Sequence, residues 1–333
     1  MKSLVTGGAG FLGAHVSEYL IKMGHEVVVI DDLSGGFKEN LPVGCRFLEM
    51  DIVDTESINT LFEEEKFDYV FHLAAYAAEG LSSFIKKFNY ENNLIGSVNL
   101  INASINHDIK CFVFTSSIAV YGTSDVLPVV EDFPYNPEDS YGIAKMAVEL
   151  ELKSSKEFFD LDYIIFRPHN VYGEKQNIGD AYRNVVGIFM NQILSKKALT
   201  IFGNGEQTRA FTYISDVAPI IARSINNPLA YNEIFNIGSD IPHTVNELAE
   251  GVSVAMGVEE NIVYLPARHE VVHVHASHEK LQEAFDSAIP ITLKEGLSRT
   301  ARWVKRFGAK ESKKFDGVEV TKNFPKAWEK YLK

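Results

Sequence analysis

With 333 residues, 46% of them hydrophobic, the chain is long enough to bury one large core, or a large core with a smaller companion. Its formal charge of -13, from 32 basic and 45 acidic residues, argues against the net basic face that nucleic acid or a membrane surface requires, so an anionic ligand must be held by locally placed donors. Cys45 and Cys111 are too few for a disulfide framework or a zinc cluster, so no metal is expected. No apolar run approaches the ~20 residues of a membrane span, and the opening turns to glycine too early for a secretory signal; a cytoplasmic, reducing setting is expected.

Lys2 to Thr6 predicts a short strand, followed by Gly7-Gly8-Ala9-Gly10-Phe11-Leu12-Gly13 and an amphipathic run from Ala14 to Met23. In that strand, turn and helix, Gly7, Gly10 and Gly13 provide a tight turn, close backbone approach and close helix packing, with the helix amino end aimed at a pyrophosphate. The next strand, Glu26 to Ile30, ends in Asp31-Asp32, where an acidic side chain would meet an adenine ribose 2′-hydroxyl and repel a 2′-phosphate, favouring NAD over NADP. A third strand, Cys45 to Met50, ends at Asp51-Ile52, and a fourth, Tyr69 to Phe71, at His72-Leu73-Ala74-Ala75. His72 reads as a satisfied structural histidine. The alternation predicts an α/β chain with a Rossmann-type, doubly wound parallel sheet.

From Ser82 to His107 the pattern predicts one long helix, its apolar Leu94, Ile95, Val98, Ile101 and Ile105 buried against the sheet or a second subunit. Spacing alone leaves Asn93 on a solvated face. The apolar run Phe112 to Phe114 predicts a buried strand, which would place the Ser117 hydroxyl at its carboxyl end. A loop bearing Pro128, Pro134 and Pro137 leads to Asp139-Ser140, a start signal for a helix carrying Tyr141 and Lys145. Four residues apart, these two side chains share a face, and a fixed cation there would lower a phenol from its ordinary value of roughly 10, making Tyr141 a proton acceptor.

Taken together, Gly7-x-x-Gly10-x-x-Gly13, Asp31, Asp51-Ile52, His72 to Ala75, Asn93-x-x-Gly96, Ser117-x-x-x-Tyr121-Gly122 and Tyr141-x-x-x-Lys145 resemble the extended short-chain dehydrogenase/reductase family, in its nucleotide-sugar epimerase and dehydratase branch. The resemblance continues through Arg167 to Gly173, Phe202 to Arg209, Phe211 to Val217 and Phe235 to Gly238. It implies an NAD-binding Rossmann domain over residues 1–175 and a nucleotide-sugar lobe over 176–307, with the chain crossing back to the first domain around 210–240. Residues 308–333 are a charged extension whose Phe315, Val318, Val320, Phe324, Trp328 and Tyr331 would anchor it to the outer surface. The resemblance assigns to NAD Gly7, Gly10, Phe11, Leu12, Asp31, Asp32, Asp51, Ile52, Leu73, Ala74, Ala75, Asn93, Thr115, Tyr141, Lys145, Pro168 and His169. To the sugar nucleotide it assigns Glu79, Ser117, Tyr141, His169, Asn170, Asn184, Val185, Arg209, Arg268 and Val274. Ser117, Tyr141 and Lys145 are the catalytic set, oxidising the sugar at C4. In relatives, the helices equivalent to 82–107 and 141–159 pack against their copies, which implies a homodimer.

The family's dehydratases carry an Asp-Glu pair directly after the equivalent of Ser117, whereas this chain has Ile118-Ala119, which cannot titrate. C4 epimerisation is therefore expected, ahead of net oxidation or reduction of a 4-ketosugar, dehydration or decarboxylation. A non-catalytic NAD-binding sensor on the same fold is the reading from a different class, and the surviving Tyr-Lys pair speaks against it. His169 replaces the more usual Phe or Tyr and would put a polar ring by the nicotinamide. The Arg268-His269-Glu270 turn is one residue shorter than its counterpart, Glu79 would repel a uronic acid, and Val274 would leave room for an N-acetyl group.

Overall fold

A computed structural model describes residues 1–268, 270–286, 290–310 and 317–331. Six parallel strands come first: β1 (Lys2–Thr6), β2 (Glu26–Asp31), β3 (Arg46–Glu49), β4 (Tyr69–His72), β5 (Cys111–Thr115) and β6 (Tyr163–Pro168). The strand Glu233–Ile237 returns late in the chain to extend the sheet beyond β6, giving seven strands in the order Glu233–Ile237, β6, β5, β4, β1, β2, β3. The order reverses between β1 and β4, and open sheets of this kind bind ligands outside the carboxyl ends of the strands at such a point.

Burial on both faces explains the near-continuous apolar strands. Leu4, Val28, Val70, Phe112 and Ile165 enter one core, while their neighbours Val5, Val29, Phe71, Val113 and Ile164 enter the other. Each such side chain contributes about 1.5–3 kcal/mol on burial, so the strand ends are held by a stiff base. The remaining strands form small sheets on the carboxyl side: Thr208–Ala210 lies between Pro242–Thr244 and His273–Val274, and Leu199–Phe202 pairs with Ile262–Leu265.

The helix expected over 82–107 is interrupted. A short turn, Glu79–Ser82, precedes a helix that starts at Lys86 and passes through a π-helical turn at Glu91–Ile95 before continuing as Gly96–Asn106. The wide turn changes the phase of the helix, and Asn93, expected in solvent, is buried. Its side chain accepts from the Tyr76 N–H at 2.8 Å, donates to the Tyr76 carbonyl at 3.1 Å and donates to Asn89 at 2.8 Å. A polar group so fully paired is stable out of water.

The terminal extension does more than coat the surface. Phe324 and Trp328 are buried with Ala78, Leu81 and Ile85, and Phe202 packs against the same cluster. Glu319 accepts from the Lys87 and Phe88 N–H groups at 2.7 and 2.9 Å, filling the amino end of the Lys86–Tyr90 helix. Phe315 and His269 lie outside the described residues, as does the side chain of Tyr331.

Candidate active site

The helix α1 (Phe11–Lys22) begins directly after the glycine turn, with Phe11 and Leu12 at its head. Gly7 has φ +68°, and a Cβ there would sit 2.7 Å from the Ala74 Cα; a Cβ on Gly13 would sit 2.2 Å from the Gly7 carbonyl oxygen. Only glycine allows this closeness, which leaves backbone open at the carboxyl end of β1. Asp31 closes the other side: its carboxylate accepts from Ala9 N–H at 3.0 Å and Leu33 N–H at 2.8 Å, and burial raises its pKa against those bonds. Asp32 and Asp51 each accept from a backbone N–H two residues on, within turns. Ile52 is buried against Gly96.

His72 is held by Thr6 at 2.7 Å through Nδ1 and by Ser97 at 2.8 Å through Nε2. The Thr6 hydroxyl also accepts from the Leu73 and Ala74 N–H groups. This is a structural histidine that fixes the chain running past Ala75 toward the cleft.

Asp139 caps the Ser140–Phe159 helix by accepting from Gly142 N–H at 2.9 Å, and Ser82 and Asn89 bind the backbone of Tyr141 and Ser140. With its amino end pinned three ways, the helix presents Tyr141 near the end of β5, with Ser117 beside the phenol. Ser117 caps the turn Ile118–Val120 by accepting from Ala119 N–H at 3.1 Å. Lys145 is buried and donates to the Thr115 carbonyl at 2.8 Å.

One expectation is reversed here. Lys145 does not lower the phenol: its ammonium is spent on the Thr115 carbonyl and lies over the Phe114 ring at 4.6 Å, against 5.7 Å to the Tyr141 ring. Burial, followed by the Glu79 carboxylate, instead raises the Tyr141 pKa, with Ser117 pulling the other way. Burial also pushes Lys145 down to about 7.

The cleft is walled by Glu79, Ser117, Ile118, Ala119, Glu138, Asp139, Pro168, His169, Asn170, Arg209 and Val274. Glu79 meets solvent at the mouth yet is ringed by protein below, and burial together with Asp139 pushes its carboxyl up to about 7, opposed by Arg209. Among the described residues no hydrogen bond or ion pair engages that carboxyl. Arg209 is anchored to the Thr208, Val271 and Val272 carbonyls, and Val274 faces it in the register of neighbouring strands. Asn170 donates to the Ala210 carbonyl at 3.2 Å.

Other expected substrate residues are committed elsewhere. Asn184 caps the Val185–Leu194 helix by accepting from Val186 N–H and donates to Val171 at 2.6 Å; neither it nor Val185 is in the cleft wall. Arg268 pairs with Glu270 at 2.9 Å and stacks on Phe202 and Trp328 at 4.6 and 5.5 Å. Both ring nitrogens of His169 are used inside the protein, Nδ1 toward the Ala210 carbonyl at 3.2 Å and Nε2 toward His278 at 2.9 Å, so it offers the cleft carbon edges and a ring face.

Sequence reasoning passed over the buried group behind the catalytic helix. Glu149 and Arg167 form a fully buried ion pair at 2.6 Å, joined by Tyr135, Ser116 and Tyr121. A signal was available: Glu149 lies four residues beyond Lys145 on one helix face, so a buried face must carry it inward to a cation.

For NAD the fit is sound. The glycine cradle excludes any Cβ, and the Thr115 hydroxyl is buried with no hydrogen-bond partner among the described residues, on the residue whose carbonyl takes the Lys145 ammonium, a polar group that a ribose hydroxyl would satisfy.

A glycine cradle at the switch point, with a Ser, Tyr and Lys set at the ends of β5 and its following helix, defines an NAD-linked enzyme of the Rossmann class. The chain matches the NAD dependent epimerase/dehydratase family over residues 3–238 and belongs to it. The UDP-glucose 4-epimerase of Mycolicibacterium smegmatis is 32% identical over 92% of this chain and 99% of that one. A Thermotoga maritima UDP-glucose 4-epimerase structure with UDP-glucose superposes with a TM-score of 0.88 at 35% identity, over 92% of this chain and 99% of that one. A Methanobrevibacter ruminantium UDP-N-acetylglucosamine 4-epimerase, in complex with UDP-N-acetylmuramic acid, gives 0.84 at 32% identity, over 92% and 98%.

Proposed function

We propose that this chain epimerises a nucleoside diphosphate sugar at C4, acting on a UDP-hexose, a UDP-N-acetylhexosamine or both. The observation that carries this reading is that Ser117, beside the Tyr141 phenol, lines a cleft where the two residues after it are Ile118 and Ala119. Tyr141 takes the sugar hydroxyl proton and returns it, with Ser117 sharing the hydrogen bond. Lys145 and Thr115 would hold the cofactor ribose, and bound NAD supplies the hydride acceptor. Without an acid at 118 or 119, the ketosugar is left to turn over and be reduced on its other face.

Val274, buried at the cleft wall, supports a pocket wide enough for an N-acetyl group. Chromatographic assays of UDP-glucose and UDP-N-acetylglucosamine, on wild type and Val274→Tyr, test both levels. Appearance of the C4 epimers supports the reaction; absence of any epimer from either substrate overturns it. A several-fold fall in the N-acetyl substrate alone is expected of the Tyr variant, and an unchanged ratio would remove Val274 from the sugar.

The reading includes a cytoplasmic homodimer. Among the described residues no helix is long and apolar enough to cross a membrane. Ile143, Leu150 and Phe158 are exposed along the Ser140–Phe159 helix and Ile95 on its neighbour, an apolar face that a second copy would cover. Light scattering that finds only monomer at micromolar concentration would count against it.

A further inference from the structure

Behind the cleft wall, three side chains from distant parts of the sequence form a chain of short contacts. Asp240, half-exposed after the strand Glu233–Ile237, meets His278 Nδ1 at 2.6 Å. His278, 2% exposed, meets His169 Nε2 at 2.9 Å, and His169 Nδ1 meets the Ala210 carbonyl at 3.2 Å. The two rings stack at 22° with centroids 5.0 Å apart.

The proton inventory of this chain has one complete solution. A carbonyl only accepts, so His169 carries its hydrogen on Nδ1 and presents a lone pair at Nε2. His278 Nε2 must then donate. The Asp240 carboxylate also only accepts, so His278 Nδ1 must donate too. A histidine that donates from both nitrogens is an imidazolium. With Asp240 ionised, its carboxyl held low by its bond to His278, a neutral His278 would set lone pair against lone pair at one of the three contacts. Burial, followed by the neighbouring His278, pushes His169 down to about 3, and the His278 hydrogen bond lowers Asp240.

We propose that Asp240 and His278 are positioning residues, holding a buried imidazolium that clamps a neutral His169 into the wall of the substrate cleft. Resting on the epimerase reading, this makes turnover depend on the charge of His278, through His169 and without contact to the sugar. The His169 ring lies close against Gly238, where an added Cβ would sit 2.3 Å from its Nε2, so only glycine fits beside it. The titratable groups facing the pair are Asp240, His169 and His275, whose Nδ1 is buried without a partner among the described residues. On the flanking helix and strand, Lys280 is neutralised by Glu233 at 2.7 Å, and Glu279 is exposed. No group of three or more His, Cys, Asp or Glu among the described residues could hold a metal.

Two measurements on the full-length protein test this. In histidine-15N-labelled wild type at pH 7, the His278 ring, identified by its loss in His278→Gln, should show both nitrogens protonated, and the His169 ring one. A neutral His278 overturns the proposal, and this readout stands whether or not any nucleotide sugar is turned over. In kinetics, Asp240→Asn removes the paired charge, so the alkaline limb of kcat should move toward acid by about 1–2 pH units, with KM changed less than threefold. A uniform fall in kcat with the limb unmoved would mean that Asp240 is only a packing residue and would also overturn it.

Discussion

The two ends of the Ser140–Phe159 helix treat buried charge in opposite ways. At Glu149, two turns past Tyr141, the carboxylate is 0% exposed and accepts from the Arg167 guanidinium, from Tyr135 at 3.0 Å and from Ser116. At the amino end, Glu79, exposed at the mouth, has no donor among the described residues, Asp139 shares its surroundings, and Tyr141 and Lys145 are both moved away from their ordinary pKa values by burial. A satisfied charge holds its neighbours in one geometry and has nothing left to offer a ligand. An unsatisfied one is costly in the free protein and is relieved by whatever binds, which is why perturbed groups gather where chemistry is done.

The comparison can be broken most sharply at Tyr141. Tyr141→Phe should lower turnover by roughly 10²–10⁴-fold while the thermal midpoint holds or rises, because the lost hydroxyl serves reaction more than fold. Calorimetry beside a turnover assay decides it; a Phe variant that keeps most of its rate, or one that unfolds, would erase the distinction. At the other end, Glu149→Leu strands the Arg167 charge and should cost about 3–5 kcal/mol in urea unfolding, most of it recovered when Arg167→Met is added. A double variant as unstable as the single one would show that the pair stabilises by its charge alone.

Asp31 lies between these extremes, bonded to two backbone N–H groups yet raised by burial. Asp31→Asn should weaken NAD by about 1–3 kcal/mol in a binding titration and bring NADP closer to it. Equal affinities of the wild type for the two cofactors would remove Asp31 from the ribose. The smallest effect is expected at Glu79, where the folded pKa of about 7 stands above the ordinary 4.5. A raised carboxyl favours the protonated fold, so its contribution to stability is complete below pH 4.5 and is lost as pH climbs through 7. Glu79→Gln cannot titrate, so the variant's midpoint should gain on the wild type between pH 5 and pH 8; a difference independent of pH would contradict the shift.

What could be read in advance was local. The glycine turn and Asp31 are legible because each sits at a strand end, and Tyr141, Lys145 and the Asp139 cap because three- and four-residue spacings map directly onto a helix face. Asn93 was misplaced because a π-helical turn breaks the 3.6-residue phase on which that reading relied. The clamp of Asp240 and His278 on His169 escaped for a different reason: the two histidines are 109 residues apart, and their pairing exists only once the late strand Glu233–Ile237 has joined the main sheet. The phenol's environment was misjudged because spacing shows that a lysine is near but not where its ammonium donates.

The docked terminal segment gives the molecule an optical handle. The chain has two tryptophans, Trp303 and Trp328, and only Trp328 is set against Arg268, Phe202 and Tyr182, beside the cleft mouth. Indole emission follows its immediate electrostatic surroundings, so a guanidinium drawn from that ring toward a diphosphate would change the emission of one identifiable residue. With Trp303 replaced by Phe, the intrinsic fluorescence of the protein becomes a single-site gauge of the contact between Arg268 and the chain's own tail.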